Sequence, residues 1–154
     1  ITGSSGKTSL KSLLGNILHR YGKPYFSKKS YNNHFGVPLS LGNLENYHEY
    51  GVFEVGMDKK GEIDDLTKII KPDLGVITNI SYAHVKNFRN LKQIALAKSE
   101  IISNTKDNGF IVLNADDNFF TLHKKIATKK NLKILSFLSN VVNTSNNFIP
   151  WLLL

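Results

Sequence analysis

The apolar run Leu74–Thr78 (LGVIT) is the feature that most restricts the fold of this 154-residue chain. A half-exposed strand alternates apolar and polar residues, whereas a strand buried on both faces is apolar at nearly every position. Strands of the second kind occur in parallel sheets that are covered by helices on both sides. The run therefore predicts an α/β fold with a mostly parallel sheet and helices on both faces.

Segments on either side of this run alternate between strand-like and helical patterns. Further strands are predicted at 50–55, 110–113 and 132–137, and the tail of another at Ile1–Thr2. Helices are predicted over 7–21, where leucines recur at helical spacing, and over 61–70, 91–103 and 119–129. Strand–helix alternation favours a parallel sheet built from βαβ units. We predict one domain over residues 1–137, followed by an atypical tail over 138–154 that is not part of the fold.

Composition narrows the class of protein further. Hydrophobic residues make up 41% of the chain and charged residues 21%, which is ordinary for a soluble globular domain. Cysteine is absent, so a disulfide framework and a thiolate metal site are excluded. The sequence has no signal-peptide pattern and no apolar run of membrane-spanning length. We therefore expect a cytoplasmic protein without membrane insertion.

The net charge of +8 raises the question of a nucleic-acid partner. Nearly all of the excess is lysine, with Arg20 and Arg89 as the two arginines, and the lysines are scattered along the chain. Aromatic residues do not interleave with them as a stacking platform for bases would require. We expect no nucleic-acid partner.

A glycine- and serine-rich turn stands between the first predicted strand and the first predicted helix. It combines small residues, a lysine and an adjacent hydroxyl, in the order Gly3, Ser4, Ser5, Gly6, Lys7, Thr8, Ser9. Such a turn can direct backbone N–H groups and a helix N-terminus at phosphates, while the hydroxyl reaches Mg²⁺. The full pattern would have glycine at position 1, where this chain has Ile1. The alternative is a turn that only caps the helix, with Ser4 or Ser5 as N-cap. We favour nucleotide binding.

Three other side chains are candidates for chemistry because of their positions. Glu54 ends a predicted strand at the sheet edge where α/β folds bind ligands, and its carboxylate suits Mg²⁺; the alternative is a helix-capping role. His84 follows the 74–78 run by a short loop, although a lone histidine is more often a surface or packing residue. Lys98 lies on a predicted helix beside apolar residues, where an ordinary solvated lysine is the alternative.

Polar residues at two turns allow simpler interpretations. Asn32 and Asn33 precede Gly36-Val37-Pro38, and asparagines in such places commonly only make turns. Asp116 or Asp117, between a strand and a helix, can serve as an N-cap.

The loop at residues 3–9 resembles the shortened phosphate loop of the Mur ligases, which also lack the first glycine. Four further segments are similar in order and spacing to the central domain of that family: 31–39 (YNNHFGVPL), 54–63 (EVGMDKKGEI), 78–84 (TNISYAH) and 97–101 (AKSEI). The resemblance covers roughly residues 1–137 and implies a P-loop NTPase-like Mur ligase central domain that is incomplete at both ends. We expect the chain to be a fragment, because nearly all of the strand before the loop is missing and the apolar end 148–154 shows no periodicity.

The resemblance also implies a reaction and roles for the candidate residues. The quoted segments are most similar to the branch that joins D-alanyl-D-alanine to UDP-N-acetylmuramoyl-tripeptide through an acyl phosphate, using ATP and Mg²⁺, in peptidoglycan synthesis. Lys7 would hold the β/γ-phosphates, Thr8 and Glu54 one Mg²⁺, and His84 with a carbamylated Lys98 the second. Asn32 and Asn33 would face the muramoyl-peptide. Carbamylation needs a neutral amine, so it implies a partly buried Lys98 with a lowered pKa.

Other functions stay open at this point. The chain could belong to another Mur-type ligase, to a plain P-loop ATPase, or to a non-catalytic remnant that binds a nucleotide. The family resemblance implies additional domains for the uridine nucleotide and for the incoming amine, so the fragment alone is expected to be inactive. We also expect a monomer.

Overall fold

A computed structural model describes residues 1–82 and 87–138 of the chain. Helices and short parallel strands alternate along it, as the sequence predicts. In chain order the elements are α1 (Lys7–Leu18), β1 (Pro24–Phe26), α2 (Gly36–Gly42), β2 (Tyr50–Val52), α3 (Glu62–Ile70), β3 (Leu74–Ile77), α4 (Leu91–Lys98), α5 (Glu100–Asn104), β4 (Phe110–Asn114), α6 (Phe120–Lys129) and β5 (Lys133–Phe137).

The strands form two parallel sheets that the first two residues join. β1 pairs with β2, and β3, β4 and β5 pair in that order, every pair being parallel. The Val55 N–H donates to the Ile1 carbonyl at 2.8 Å, and the Thr2 N–H donates to the Val76 carbonyl at 2.8 Å. Residues 1–2 therefore lie between β2 and β3 as a strand segment. The predicted parallel sheet and the predicted strand tail at Ile1–Thr2 are both confirmed.

Helices cover both faces of this sheet. Val76 belongs to an apolar cluster with Ile1 and Val52, against which leucines of α1 pack. Its neighbour Ile77 belongs to a second cluster, which buries apolar side chains of α3, α4, α5 and α6. Because successive strand residues point to opposite faces, the two clusters lie on opposite sides of the sheet. Because residues 1–2 run parallel to β3, the loop that follows β3 lies at the same sheet edge as the 3–9 loop.

The structure differs from the predicted elements in three places. β1 and α2 lie in a stretch for which the sequence pattern predicts no element. The predicted helix 91–103 is divided at Ser99, whose hydroxyl donates to the Leu96 carbonyl at 2.7 Å. The predicted strand 50–55 is regular only to Val52, since the residues after it turn to pair with Ile1.

Two further observations concern membrane-spanning helices and the end of the domain. Within 1–82 and 87–138, no helix has both the length and the apolar character needed to cross a membrane. The predicted tail begins at residue 138, and all of it beyond that residue lies outside the described ranges. The domain boundary at 137 stays a prediction.

Candidate functional site

The 3–9 loop has a backbone that requires glycine at two positions. Gly6 has φ +79°, in the left-handed region that favours glycine, and Gly3 has φ +149°. A Cβ added to Gly3 would lie 1.8 Å from the Thr78 hydroxyl oxygen. The first glycine therefore permits close contact between the loop and the end of β3, and the second turns the chain into α1.

Helix α1 begins without a side-chain cap. Its N-cap residue is Gly6, which makes no side-chain cap hydrogen bond. The alternative in which Ser4 or Ser5 caps the helix is therefore wrong. Because the first amides of an α-helix have no intrahelical partner, those of residues 7–9 are available to an anion, and the helix dipole favours negative charge there.

The two loop serines are held by the segment that follows β3. The Ser4 N–H donates to the Asn79 carbonyl at 2.9 Å, and the Ser5 N–H donates to Asn79 Oδ1 at 3.0 Å. Asn79 Nδ2 donates to Ser5 Oγ at 2.7 Å, and Thr78 Oγ1 donates to the Ser5 carbonyl at 2.7 Å. These contacts fix the loop and use the amides of both serines, so the donors left for phosphates begin at Gly6.

Lys7 folds back over the loop that precedes it. Its ammonium donates to the Gly3 carbonyl at 2.9 Å, and the side chain is half-buried. Burial lowers the pKa of Lys7, and the Glu54 carboxylate partly offsets this effect. A lysine positioned over an anion-binding turn can compensate the charge of bound phosphates.

Thr8 is connected to Glu54 through Ser30. The hydroxyls of Thr8 and Ser30 lie 3.2 Å apart, and Ser30 donates a short hydrogen bond to Glu54 Oε1. Glu54 is fully buried, and its second oxygen, Oε2, has no hydrogen-bond partner. The ammonium of Lys11, also fully buried, lies 3.9 Å from Oε1. A buried carboxylate oxygen without a partner is costly, which makes Oε2 a candidate ligand for a cation.

These oxygens fit Mg²⁺. The ion prefers oxygen donors and is commonly held by one or two carboxylates together with waters and substrate phosphates. Thr8 and Glu54 supply a hydroxyl and a carboxylate beside the phosphate loop. Among the residues that the structure describes, no three His, Asp or Glu side chains converge on a common point.

Lys98 is buried at the end of α4, with 1% of its surface exposed. Burial, together with the nearby ammonium of Lys7, lowers its pKa to about 7. A substantial fraction of this amine is therefore neutral near pH 7, unlike that of an exposed lysine. The alternative of a solvated helical lysine is wrong.

Asn32 and Asn33 lie beside the phosphate loop. Both line a cavity of about 470 Å³ whose walls also include Lys7, Gly56 and Glu62. Asn33 Oδ1 accepts hydrogen bonds from the amides at the start of α2, which is the turn-forming role weighed above. Asn32 Nδ2 donates to Ser30 Oγ at 3.1 Å. The structure thus brings the predicted substrate residues to the same cleft as the predicted phosphate residues.

Two other sequence predictions have different outcomes. His84 lies outside the described residues, so its predicted metal role stays a prediction. Asp117 accepts the Phe119 N–H at 2.8 Å just before α6, and it also accepts the Ile80 N–H at 2.6 Å. The N-cap residue of α6 is Phe119, which has no side-chain cap hydrogen bond, so the alternative in which Asp116 or Asp117 is the N-cap is wrong. Asp117 instead ties the segment after β3 to the residue that precedes α6.

Sequence reasoning missed Lys11, Ser30 and Asn79, which surround the predicted residues. Lys11 follows Lys7 by one helical turn and therefore lies on the same side of α1, a spacing that could have pointed to it. Asn79 lies in the 78–84 segment that resembles the Mur ligases, but the sequence predicts no role for it. Ser30 has no sequence signal, because its contacts join segments far apart in the chain.

Comparison with known proteins shows which family the chain belongs to. The sequence pattern of the Mur ligase middle domain matches residues 1–147, so the chain belongs to the Mur ligase family. It is 40% identical to the UDP-N-acetylmuramoyl-tripeptide–D-alanyl-D-alanine ligase of Buchnera aphidicola (Acyrthosiphon pisum), covering 96% of this chain and 32% of that protein.

Solved structures agree with this family assignment. MurF of Acinetobacter baumannii superposes with a TM-score of 0.83 at 37% identity over 88% of this chain and 29% of its own. MurF ligase of Thermotoga maritima, solved in complex with ADP, gives a TM-score of 0.78 at 33% identity over 88% of this chain and 31% of its own. The chain spans about a third of the length of these relatives. The expected fold, a Mur ligase central domain, is confirmed.

Proposed function

We propose that this chain is the ATP-binding part of a ligase that joins D-alanyl-D-alanine to UDP-N-acetylmuramoyl-tripeptide. The observation that carries the proposal is the juxtaposition of an uncapped helix start, a half-buried Lys7 and a buried carboxylate oxygen without a partner. An anion site beside a cation site is what a magnesium nucleotide requires. The relatives named for this reaction, and the one solved with ADP, support the same assignment.

In the proposed reaction a carboxylate oxygen of the tripeptide attacks the γ-phosphorus of ATP, the bond to the bridging oxygen breaks, and ADP leaves. The neutral amine of D-alanyl-D-alanine then attacks the acyl phosphate, the C–O bond to phosphate breaks, and one N–H proton is released, so that an amide and phosphate are formed. Enzymes promote phosphoryl transfer mainly by positioning and by neutralising charge. Gly6 and the first-turn amides of α1 would orient the phosphates, and Lys7 would stabilise the charge on their oxygens.

Magnesium would be held by Thr8 and Glu54, and by Lys98 as a carbamate together with His84. When bound, the ion would neutralise phosphate oxygens and hold them in line for transfer. The lowered pKa of Lys98 supports the carbamate, since CO₂ reacts with a neutral amine. Asn32 and Asn33, on the wall of the adjoining cavity, would contact the muramoyl-peptide. Such an enzyme would act in the cytoplasm, where its nucleotide is supplied.

Calorimetric titration with Mg-ATP tests the nucleotide site. Lys7→Ala should weaken binding by ~1.5–3 kcal/mol, the contribution of a charge-assisted hydrogen bond. Lys125→Ala, at an exposed lysine of α6, is the matched control and should bind like the parent. Equal affinity of the parent and Lys7→Ala would refute the assignment. A second assay follows phosphate release by a full-length enzyme. A ligase should release phosphate only when both tripeptide and dipeptide are present, whereas a plain ATPase would release it without them and an inert remnant would release none.

A further inference from the structure

The hydroxyl of Ser30 lies at the centre of the polar group that joins the phosphate loop to Glu54. Ser30 Oγ is 3.2 Å from Thr8 Oγ1 and 3.1 Å from Asn32 Nδ2, and it donates to Glu54 Oε1. These three partners come from α1, from the segment after β1 and from the segment after β2. Ser30 therefore joins three separate segments through one hydroxyl group.

The positions of the protons in this group follow from the chemistry of the side chains. An ionised carboxylate only accepts, so the single hydroxyl proton of Ser30 goes to Glu54. Asn32 Nδ2 can only donate, so it occupies one lone pair of Ser30 Oγ. The Thr8 hydroxyl must then donate its proton to the second lone pair. Ser30 is thereby saturated, with one bond donated and two accepted.

These hydrogen bonds leave two oxygens, Thr8 Oγ1 and Glu54 Oε2, with lone pairs that a metal ion could use. The Thr8 proton points toward Ser30, so the lone pairs of Thr8 Oγ1 are directed elsewhere. Glu54 Oε1 is engaged by Ser30 and lies near the Lys11 ammonium, which leaves Oε2 as the buried oxygen without a partner. Lys11 is itself held by Ser27 Oγ at 3.0 Å and by the Lys29 carbonyl at 2.7 Å, which fixes the chain just before Ser30.

We propose that Ser30 is a positioning residue that orients Thr8 and Glu54 toward a magnesium ion without binding the ion itself. This inference rests on the proposed ATP site. A direct ligand would need a free lone pair, and both lone pairs of Ser30 Oγ accept hydrogen bonds. Groups that orient metal ligands in this way typically contribute about 10–100-fold to metal affinity.

The test measures ATP affinity by calorimetry twice for each variant, in EDTA and in saturating Mg²⁺. The ratio of the two dissociation constants is the magnesium-dependent gain. Ser30→Ala should reduce that gain by about 10-fold or more, with its affinity in EDTA unchanged, because Lys7 and the α1 amides are intact. Ser30→Thr keeps the hydroxyl and should retain the gain. Ser103→Ala, at an exposed serine of α5, is the control.

Each other outcome overturns a different statement. An unchanged gain in Ser30→Ala would refute the positioning role. An equal loss of affinity in EDTA and in Mg²⁺ would show that Ser30 only maintains the loop, and thermal unfolding would then report a lower stability. A parent that binds ATP without any magnesium-dependent gain would refute the metal role of Glu54 and with it this inference. A parent that does not bind ATP at all would refute the proposed function instead.

Discussion

Glu100 accepts the amide proton of Gly61 at 2.9 Å, although the two residues are 39 positions apart in the sequence. The same carboxylate accepts the Asp64 N–H at 3.0 Å. Gly61 is the N-cap residue of α3 and has no side-chain cap within its own segment. A carboxylate from α5 therefore satisfies the start of α3, where negative charge is also favoured by the helix dipole. Because α3 forms part of the cavity wall, this contact links α5, which follows Lys98, to the cleft.

Replacing Glu100 should therefore destabilise the fold. Glu100→Ala leaves backbone donors at the start of α3 without their acceptor, and we expect a loss of ~1–3 kcal/mol in the free energy of unfolding. Glu100→Gln keeps an acceptor oxygen and should lose less. Urea denaturation measures both values. Glu45→Ala, at an exposed carboxylate, serves as the control, and an Ala variant at position 100 that is as stable as this control would contradict the capping role.

Lys98 gives the stability of the domain a specific dependence on pH. Its pKa in the folded chain is about 7, against an ordinary value of 10.5. Between these values the unfolded chain binds more protons at this site, so stability should rise with pH across that interval. Below about pH 7 the full cost of burying the ammonium is present, because the group is protonated in both states.

Comparison of the parent with Lys98→Met isolates this contribution, since other titrating groups are shared. The parent should gain stability relative to the variant by up to ~1.4 kcal/mol per pH unit above pH 7. Urea unfolding in buffer free of CO₂, at several pH values between about 6 and 9, measures the difference. Parallel profiles for the two proteins would mean that Lys98 has an ordinary pKa.

The proposed carbamate at Lys98 can be tested directly. The neutral amine would attack CO₂, forming an N–C bond and releasing one N–H proton to solvent. With ¹³C-labelled CO₂, the parent should show a carbamate resonance that Lys98→Met lacks and that grows as the pH rises through about 7. Lys125→Ala should keep the resonance, because its lysine is exposed. A resonance of equal size in Lys98→Met would place the modification on another amine.

The sequence predicts those parts of the fold that depend on local patterns. Leu74–Thr78 is apolar at nearly every position, and the corresponding strand is β3. The prediction fails where the pattern is short or tertiary contacts decide. β1 has three residues, too few for a period, and α2 begins where Asn33 accepts two backbone amides rather than at an apolar repeat. The helix is divided at Ser99 although no glycine or proline, the residues that usually interrupt a helix, occurs there.

The residues of the candidate site also differ in whether the sequence predicts them. Lys7, Thr8 and Glu54 belong to recognisable sequence motifs, so the sequence identifies them. Ser30 is different, because its role exists only once Thr8, Asn32 and Glu54 meet at one edge of the sheet. Lys11 is a charged residue in a helical pattern, which favours an exposed position, yet it is fully buried against Glu54. A sequence pattern assigns a charged residue to the surface because it carries no information about a distant partner such as Glu54.

The 154-residue chain by itself should not join D-alanyl-D-alanine to UDP-N-acetylmuramoyl-tripeptide. It spans about a third of the length of its relatives. In the proposed site the 3–9 loop, Glu54 and Lys98 would supply only the groups that bind the phosphates and the metal. Holding reactants in place can account for ~7–11 kcal/mol of a barrier, and an open site also exposes an acyl phosphate to water. Mass spectrometry of the chain incubated with Mg-ATP and both substrates checks this expectation. Pentapeptide product above the level without enzyme would show that these residues suffice for the reaction, whereas ATP binding without product is the expected result.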